Sequence, residues 1–302
     1  MPTNQELVNL YLETIVFQSK ITIKTRKSFY NDFAVTFQKS FLEATTSDLR
    51  NYVVQKKESK KWVKPTTISQ YIGYMRTFFK FLISEKFIKA ENNPTSALKK
   101  PLNRIEAEIP VLSKKEIQKM ISTAEAPIIG IKNRLLFYIA MTTGLRASEI
   151  CAIKKKNIDF TQKMIFMPKA DVKGQYREKL VPIISQRTIE LIEQFLIKYP
   201  NNTEYLFLNK RGGLLKEGSV YNATKEIIEL AFIHEGSWRR AYGPHLLRHV
   251  FATRWVETGG DQHTLRSVMG WCSFAQIDRY VHISPAHITK TSQRVAKNFF
   301  KF

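Results

Sequence analysis

The feature that most constrains the fold is a stretch of turn and helix signals between Gly243 and Tyr280, near the end of a 302-residue chain. Pro244 suits the first turn of a helix, where its missing N–H group leaves no hydrogen bond unmade. His245 and Arg248 then fall one turn apart on the same face of that helix. This spacing predicts that the two side chains can hold one anion between them.

Two further short helices are predicted after this one. The sequence Glu-Thr-Gly-Gly at 257–260 ends the first helix, and Asp261 can cap a second that closes at Gly270. Ser273 begins a Ser-x-x-Gln pattern typical of a capping box, which predicts a third helix that carries Tyr280. The stretch therefore presents a His, an Arg, a Trp and a Tyr from three tightly connected helices.

Cationic side chains are in large excess. The chain has 48 Lys and Arg against 26 Asp and Glu, a formal net charge of +22, and the excess lies in both halves. Neutralising backbone phosphates is the main source of affinity for nucleic acid, so this charge favours a polyanionic partner. The alternatives on charge alone are a merely basic soluble protein and a protein that binds a membrane surface.

The cysteines and the N-terminus indicate the compartment. Cys151 and Cys272 are the chain's two cysteines, and their spacing fits neither a metal motif nor a disulfide framework. The N-terminal residues lack the basic flank and apolar segment of a secretory signal. No run approaches the roughly 20 apolar residues that a membrane span requires. We therefore expect a cytoplasmic protein with no membrane segment.

The N-terminal part predicts a small helical bundle over residues 1–98. Apolar residues recur at helical spacing in four segments, which begin near residues 3, 25, 47 and 65, and no strand pattern is present. The second segment places Phe29, Phe33 and Phe37 on one face. The fourth starts at Pro65 and carries an apolar stripe, made of Ile68, Ile72, Met75, Phe79 and Leu82. We expect these aromatic and aliphatic faces to form a core.

Residues 99–110 have the prolines and mixed charge of a linker, so residues 111–302 are predicted to form a second domain. Ser113 begins a capping box there, and residues 164–167 and 179–183 alternate as the strands of a hairpin do. The expected fold class is mainly α (α+β): an N-terminal helical bundle and a mostly helical second domain with a small antiparallel sheet.

Three motifs of the second domain resemble those of the tyrosine recombinases, the family of phage-type integrases and Xer-like site-specific recombinases. His-Leu-Leu-Arg at 245–248, followed by Met-Gly-Trp at 269–271 and by Tyr280, is similar to the family's C-terminal signature. The run at 143–150 resembles its first Arg motif, and the run at 171–183 resembles its lysine hairpin. All three occur in the family's order.

The resemblance covers roughly residues 110–285 closely and the N-terminal part only in general character. It implies that the N-terminal bundle is a core-binding domain that closes one side of a DNA clamp, with the cationic run 56–64 facing DNA. A solvated loop is the alternative for that run. Double-stranded DNA is the implied partner, bound by a homo-tetramer on two sites. The apolar tail, residues 288–302, would dock into a neighbouring protomer. No cofactor and no metal ion are expected.

The resemblance also assigns roles in breaking a phosphodiester. Tyr280 would attack phosphorus and hold the strand as a phosphotyrosine. Arg146 and Arg248 would grip the non-bridging oxygens through their planar forks. Each residue also has a structural interpretation. Tyr280 could be core, Arg146 could cap its helix or pair with Glu149, and Arg248 could be a surface cation.

Proton transfer and orientation fall to other residues in this interpretation. Lys173, in the hairpin turn, would protonate the leaving 5′ oxygen, and His245 would contact the same phosphate or take the tyrosine proton. Trp271 stands where the commoner family pattern has His. Because an indole N–H only donates, Trp271 must hydrogen bond or pack. Glu149 would orient a neighbouring side chain. Of the other histidines, His249 is interpreted as helix packing, and His282 as a helper beside the site.

The sequence therefore predicts a site-specific DNA recombinase. It would cut and rejoin DNA through a 3′-phosphotyrosine intermediate without a metal ion, in integration and excision or in dimer resolution. One alternative is a catalytically impaired, DNA-binding regulatory relative. Another is an enzyme like a type IB topoisomerase or a telomere resolvase, which uses similar chemistry.

Overall fold

The computed structural model describes residues 1–18, 20–59, 64–101, 112–172, 178–232, 243–277 and 280. The chain divides into two compact units, Met1–Ala107 and Glu108–Phe302. Helices dominate both units, and one small antiparallel sheet lies in the second. The predicted fold class is confirmed.

Among the residues that the structure describes, the first unit has four α-helices, which are α1 Asn4–Thr14, α2 Lys20–Thr36, α3 Thr46–Glu58 and α4 Pro65–Ser84. Capping boxes open α1 and α3, since the hydroxyls of Thr3 and Thr45 each accept the N–H of the residue three positions on. Pro65 occupies the first turn of α4, as its sequence position predicts. The starts of α1, α3 and α4 are thus determined by residues at or next to the first helical turn.

An aromatic cluster forms the core of this unit. Phe78 is fully buried and contacts the rings of six neighbours, which are Tyr11, Tyr30, Phe33, Phe41, Phe79 and Phe81. The predicted faces of α2 and α4 are buried throughout. α1 buries Leu7, Val8 and Tyr11, while Leu10 is exposed.

Lys56 departs from the cationic run in which the sequence places it. Its side chain is buried, with Nζ 2.5 Å from Asp32 Oδ2 and 5.2 Å from the centroid of the Tyr52 ring. A carboxylate and an aromatic face together compensate its charge. The expectation that it faces solvent or DNA is wrong, while residues 60–63 of the run lie outside the described residues.

The second unit contains seven α-helices and three strands among the described residues. They are α5 Lys114–Glu125, α6 Ile131–Thr143, α7 Ala147–Cys151, β1 Ile158–Asp159, β2 Met164–Met167, β3 Lys179–Pro182, α8 Gln186–Lys198, α9 Glu217–Phe232, α10 Pro244–Glu257 and α11 Gln262–Met269. The predicted capping box at Ser113 is present. Every residue of α6 from Leu135 to Thr143 is buried, and α8, α9 and α10 pack around that helix.

The sheet has the order β1-β2-β3, and both pairs are antiparallel. β2 and β3 are the predicted hairpin, with Met167 opposite Lys179 and Ile165 opposite Val181. β1 was not predicted, because a two-residue strand has no periodicity to detect. The hairpin turn, residues 173–177, lies outside the described residues. β3 contacts α11, which brings the hairpin to the C-terminal stretch.

The C-terminal stretch follows the predicted order as far as Gly270. Pro244 opens α10, Asp261 caps α11 through the N–H of Thr264, and Gly270 ends α11 in the left-handed conformation. The predicted third helix is wrong over the described residues. Ser273 makes no side-chain cap, and a single 3₁₀ turn, Phe274–Gln276, follows it. The N–H groups of Ile277 and Tyr280 close successive three-residue turns instead.

Gly144, which ends α6 with φ +64°, allows α10 and α11 to approach α6 closely. A Cβ atom there would lie 2.6 Å from Phe251 Cδ1 and 2.9 Å from Met269 Sδ. Gly212 also has positive φ (+78°), but a Cβ atom would meet nothing within 4 Å. Comparing the two positions separates backbone strain from close packing.

We expect Gly144→Ala to lower the free energy of unfolding by about 2–4 kcal/mol, since strain and overpacking add. Gly212→Ala, with strain alone, should lose about 1 kcal/mol. Gly130→Ala, at negative φ and in open space, should stay within about 0.5 kcal/mol of the wild type. Urea titrations monitored by circular dichroism measure all three. Equal losses for Gly144→Ala and Gly212→Ala would contradict the close approach.

Candidate active site

Arg146 occupies the N-cap of α7, two residues after the turn at Gly144. Its backbone N–H donates to Glu149 Oε2 at 2.9 Å, and its Nη1 donates to Glu149 Oε1 at 3.1 Å. Glu149 is completely buried, so one carboxylate holds both the backbone and the guanidinium of Arg146. The sequence suggested two roles here, Glu149 as an orienting residue and an ion pair between Arg146 and Glu149. The structure shows both roles in one interaction.

Lys179 is a third member of this cluster, and the sequence interpretation missed it. Its Nζ lies 2.8 Å from Glu149 Oε2, and both side chains are buried. One signal was available: Lys179 shares the inward face of β3 with Val181, while Leu180 between them is exposed. Lys173, to which the sequence assigned proton transfer, lies outside the described residues.

Burial and neighbouring charge set the ionisation of this cluster. Burial lowers the pKa of Lys179 to about 8; the charge of Glu149 opposes this shift, and the charges of Arg248 and Arg146 add to it. For Glu149, burial favours the neutral acid, but Lys179 and Arg146 outweigh it and hold its pKa below the ordinary value. Near pH 7 the carboxylate is therefore ionised among three cations.

Arg248 joins the first and last motifs of this unit. Its side chain is buried, with Nη1 donating to the carbonyl of Gly144 and Nη2 donating to the carbonyl of Met269 at 2.6 Å. Arg146 Nη1 donates to the same Met269 carbonyl at 3.4 Å. The two guanidiniums therefore meet at one oxygen, at the end of α11. The interpretation of Arg248 as a surface cation is wrong.

The paired guanidiniums suit an anion. Burial, with the nearby charge of Arg146, lowers the pKa of Arg248 to about 10, so it stays protonated near neutral pH. A guanidinium has five N–H groups, and two carbonyl bonds leave N–H groups of Arg248 for another acceptor.

His245, predicted on the same face of α10, is exposed while Arg248 is buried. The two side chains therefore lie at different depths.

Trp271 and Tyr280 stack beside the arginines. Their ring centroids are 5.3 Å apart with an interplanar angle of 17°, and both side chains are buried. The Arg248 guanidinium carbon lies 5.9 Å from the centroid of the Trp271 ring, within reach of a cation–π attraction. Trp271 therefore packs between a cation and a phenol, which agrees with the packing alternative derived from its chemistry.

His249 contacts the hydroxyl of Tyr280, with 2.5 Å between Nδ1 and Oη. The ring centroids are 5.6 Å apart. The interpretation of His249 as a helix-packing residue did not include this contact. No spacing rule could have found this contact, because the two residues are 31 positions apart and belong to different elements. His282 lies outside the described residues.

Over the described ranges, no three His, Cys, Asp or Glu side chains converge as metal ligands would. In the same part of the chain, no helix has the length and apolar character needed to cross a bilayer.

Comparison with known proteins identifies the family. Residues 110–287 match the model of the phage integrase family, which spans more than half of the chain. This chain belongs to the phage integrase family. Its sequence is 27% identical over 308 residues to the tyrosine recombinase XerC of Bacillus licheniformis, with 96% of each chain covered. XerC of Syntrophus aciditrophicus is 28% identical over 234 residues, covering 74% of this chain and 71% of that relative.

Solved structures show the same fold. The integrase of transposon Tn1549, in complex with transposon right end DNA, superposes with a TM-score of 0.80 at 18% identity, covering 98% of this chain and 100% of that one. The XerH site-specific recombinase bound to its difH substrate gives 0.71 at 21% identity, covering 96% and 83%. The predicted resemblance to tyrosine recombinases is confirmed.

The buried Lys179 of this integrase-family site predicts a pH dependence of stability. Its pKa is about 8 in the folded chain and 10.5 ordinarily, so between these values the unfolded chain binds more protons. The neutral, buried form of Lys179 therefore contributes stability that is fully present above about pH 10.5. This contribution is lost as the pH falls to about 8.

We therefore expect the free energy of unfolding of the wild type, relative to Lys179→Met, to rise with pH across this window. The slope is at most about 1.4 kcal/mol per pH unit, and denaturant titrations from pH 7.5 to 10 measure it. Lys225→Met removes an exposed ion pair with Glu229 and should change stability by less than about 1 kcal/mol at each pH. A wild-type advantage that shrinks as pH rises would refute the assignment.

Proposed function

We propose that this member of the phage integrase family is a site-specific DNA recombinase that cuts and rejoins strands through a 3′-phosphotyrosine intermediate. One observation carries the proposal: the guanidiniums of Arg146 and Arg248 meet at the Met269 carbonyl, and Trp271 stacks against Tyr280 beside them. A phenol next to two fixed guanidiniums suits nucleophilic attack on a phosphodiester.

In the proposed reaction, Tyr280 Oη forms a bond to phosphorus and the bond from phosphorus to the 5′ oxygen breaks. Arg146 and Arg248 stabilise the charge that develops on the non-bridging oxygens. Their donors are already oriented by Glu149 and by backbone carbonyls, so little reorganisation accompanies attack. Lys173 is proposed to protonate the leaving oxygen, and His245 to contact the phosphate or to take the phenolic proton of Tyr280. Reversal by an incoming 5′ hydroxyl rejoins the strands.

Double-stranded DNA is the partner that the charge and the relatives support. The net charge of +22 supplies phosphate affinity, and the Tn1549 integrase and XerH were both solved with DNA. We propose residues 1–98 as the core-binding domain, 99–110 as the linker and 111–302 as the catalytic domain, acting on DNA in the cytoplasm. An impaired regulatory relative is disfavoured, because five of the described candidate residues form one connected cluster, made of Arg146, Glu149, Arg248, Trp271 and Tyr280.

Tyr280→Phe tests the nucleophile directly. On a nicked duplex that loses the cleaved end, the wild type is expected to become covalently attached to the 3′ side of the break, whereas Tyr280→Phe should bind without attachment. Tyr221→Phe, which alters a half-exposed tyrosine of α9, should behave like the wild type. Arg146→Lys and Arg248→Lys should each slow attachment by about 10²–10³-fold.

Two outcomes would exclude the proposed mechanism. Attachment that persists in Tyr280→Phe would exclude this residue as the nucleophile, and attachment abolished by a chelator would show that a metal ion takes part. Relaxation of supercoiled DNA that carries no recombination site would favour the topoisomerase alternative.

We further propose that four protomers assemble on two DNA sites through the apolar tail. The support is sequence alone, since residues 288–302 lie outside the described residues. Ile288, Val295, Phe299 and Phe302 fall on one helical face, and head-to-tail docking of such a face closes a ring.

Removing residues 288–302 is expected to preserve binding of one protomer to a single site and to abolish cooperative binding to a two-site duplex. The paired change Phe299→Ser and Phe302→Ser should act alike, and Asn298→Ser, off the apolar face, should not. Gel-shift titrations measure both affinities. Cooperativity that survives truncation would rule out this role for the tail.

A further inference from the structure

The partner of the Tyr280 hydroxyl is a histidine that neither the motif nor the spacing had assigned to the reaction. His249 lies on α10, next to Arg248, and its side chain is half-buried. Its Nδ1 is 2.5 Å from Tyr280 Oη, within reach of direct proton transfer. The adjacent Arg248 instead donates hydrogen bonds to two backbone carbonyls.

A phenol is a weak nucleophile until its proton is removed, because its ordinary pKa is about 10. The groups that the structure places around Tyr280 differ in their capacity for this step. Trp271 stacks on the ring, and its indole only donates. Arg248 lies close enough to interact electrostatically with Tyr280, but a guanidinium does not give up its proton in a protein. A neutral imidazole can accept one through Nδ1 when Nε2 carries the hydrogen.

We infer that His249 is a catalytic residue, whose Nδ1 accepts the phenolic proton as Tyr280 attacks the scissile phosphate. This inference rests on the proposed function of the same site. The O–H bond of Tyr280 breaks, its electron pair forms the new bond to phosphorus, and His249 becomes an imidazolium. The bond from phosphorus to the 5′ oxygen breaks, and that oxygen takes its proton from a separate donor. On rejoining, the imidazolium returns its proton to the departing tyrosinate.

With this assignment, the base that takes the tyrosine proton and the residue that contacts the phosphate are different histidines. The sequence interpretation had His245 either contact the phosphate or take the tyrosine proton, and His245 is exposed on α10. With His249 at the hydroxyl, His245 is left for contacts with the phosphate. Trp271, which occupies the position where the commoner pattern has His, then needs no proton-transfer role. The base comes from the residue that follows Arg248 in the same helix.

His249→Asn separates proton transfer from mere positioning. An Asn amide places its polar atoms close to where the imidazole has Nδ1, so it can hydrogen bond to Tyr280 but cannot take up the proton. We expect single-turnover attachment to slow by about 10²–10⁴-fold, with DNA affinity and thermal unfolding close to wild type. His249→Gln should lose as much, and it serves if the Asn variant does not fold. His263→Asn, which alters an exposed histidine that packs on Phe274, is the matched control.

A substrate with sulfur in place of the bridging 5′ oxygen identifies which proton is affected. A thiolate leaves without protonation, so this substrate should restore Lys173→Ala, if that residue is the acid, but should not restore His249→Asn. Restoration of His249→Asn by the sulfur substrate would place His249 at the leaving group and overturn the inference. Attachment by His249→Asn within about threefold of the wild type would reduce the contact to positioning, and would also overturn it. The proposed function is judged separately, by attachment of the wild type and its loss in Tyr280→Phe.

Discussion

The arrangement of the site depends on one buried guanidinium that bonds to two backbone carbonyls from distant parts of the chain. Arg248 donates to the carbonyl of Gly144, which lies within the first Arg motif, and to the carbonyl of Met269, which ends α11. A buried cation is tolerated only where its donors are satisfied, so these carbonyls fix the ends of α6 and α11 beside α10. Removing the positive φ of Gly144 would disturb this contact, since its carbonyl and its close packing belong to the same turn.

Charge balance is the second constraint. Glu149 is a buried carboxylate that pairs with Arg146 and Lys179 together, while Arg248 donates to backbone carbonyls rather than to a carboxylate. Three cations against one anion leave the cluster positive. A positive cluster with fixed donors keeps excess charge that the protein does not neutralise, and it is therefore well suited to a phosphate. Burial is the main cause of the lowered pKa values of Lys179 and Arg248, and the charge of Arg146 adds to both shifts.

Local sequence signals predicted much of the fold. The capping box at Ser113, the proline that opens α10 and the glycine that ends α11 act within one helical turn, so neighbouring residues are enough to detect them. Prediction from the sequence failed in two places because such local signals cover only a few residues. A strand of two residues has no detectable period, and a Ser-x-x-Gln pattern at Ser273 closes only a 3₁₀ turn.

The sequence by itself determined the family, the helix and hairpin pattern, and the residue types available to a phosphotransfer site. Only the tertiary structure decided which of those residues touch. Arg248 meets Gly144 across 104 positions, and His249 meets Tyr280 across 31. The physical reason is that periodicity and capping are interactions between near neighbours in the chain. The depth and orientation of a side chain depend instead on how whole helices pack, which is why a buried Lys179 and a hydrogen-bonded His249 emerged only from the fold.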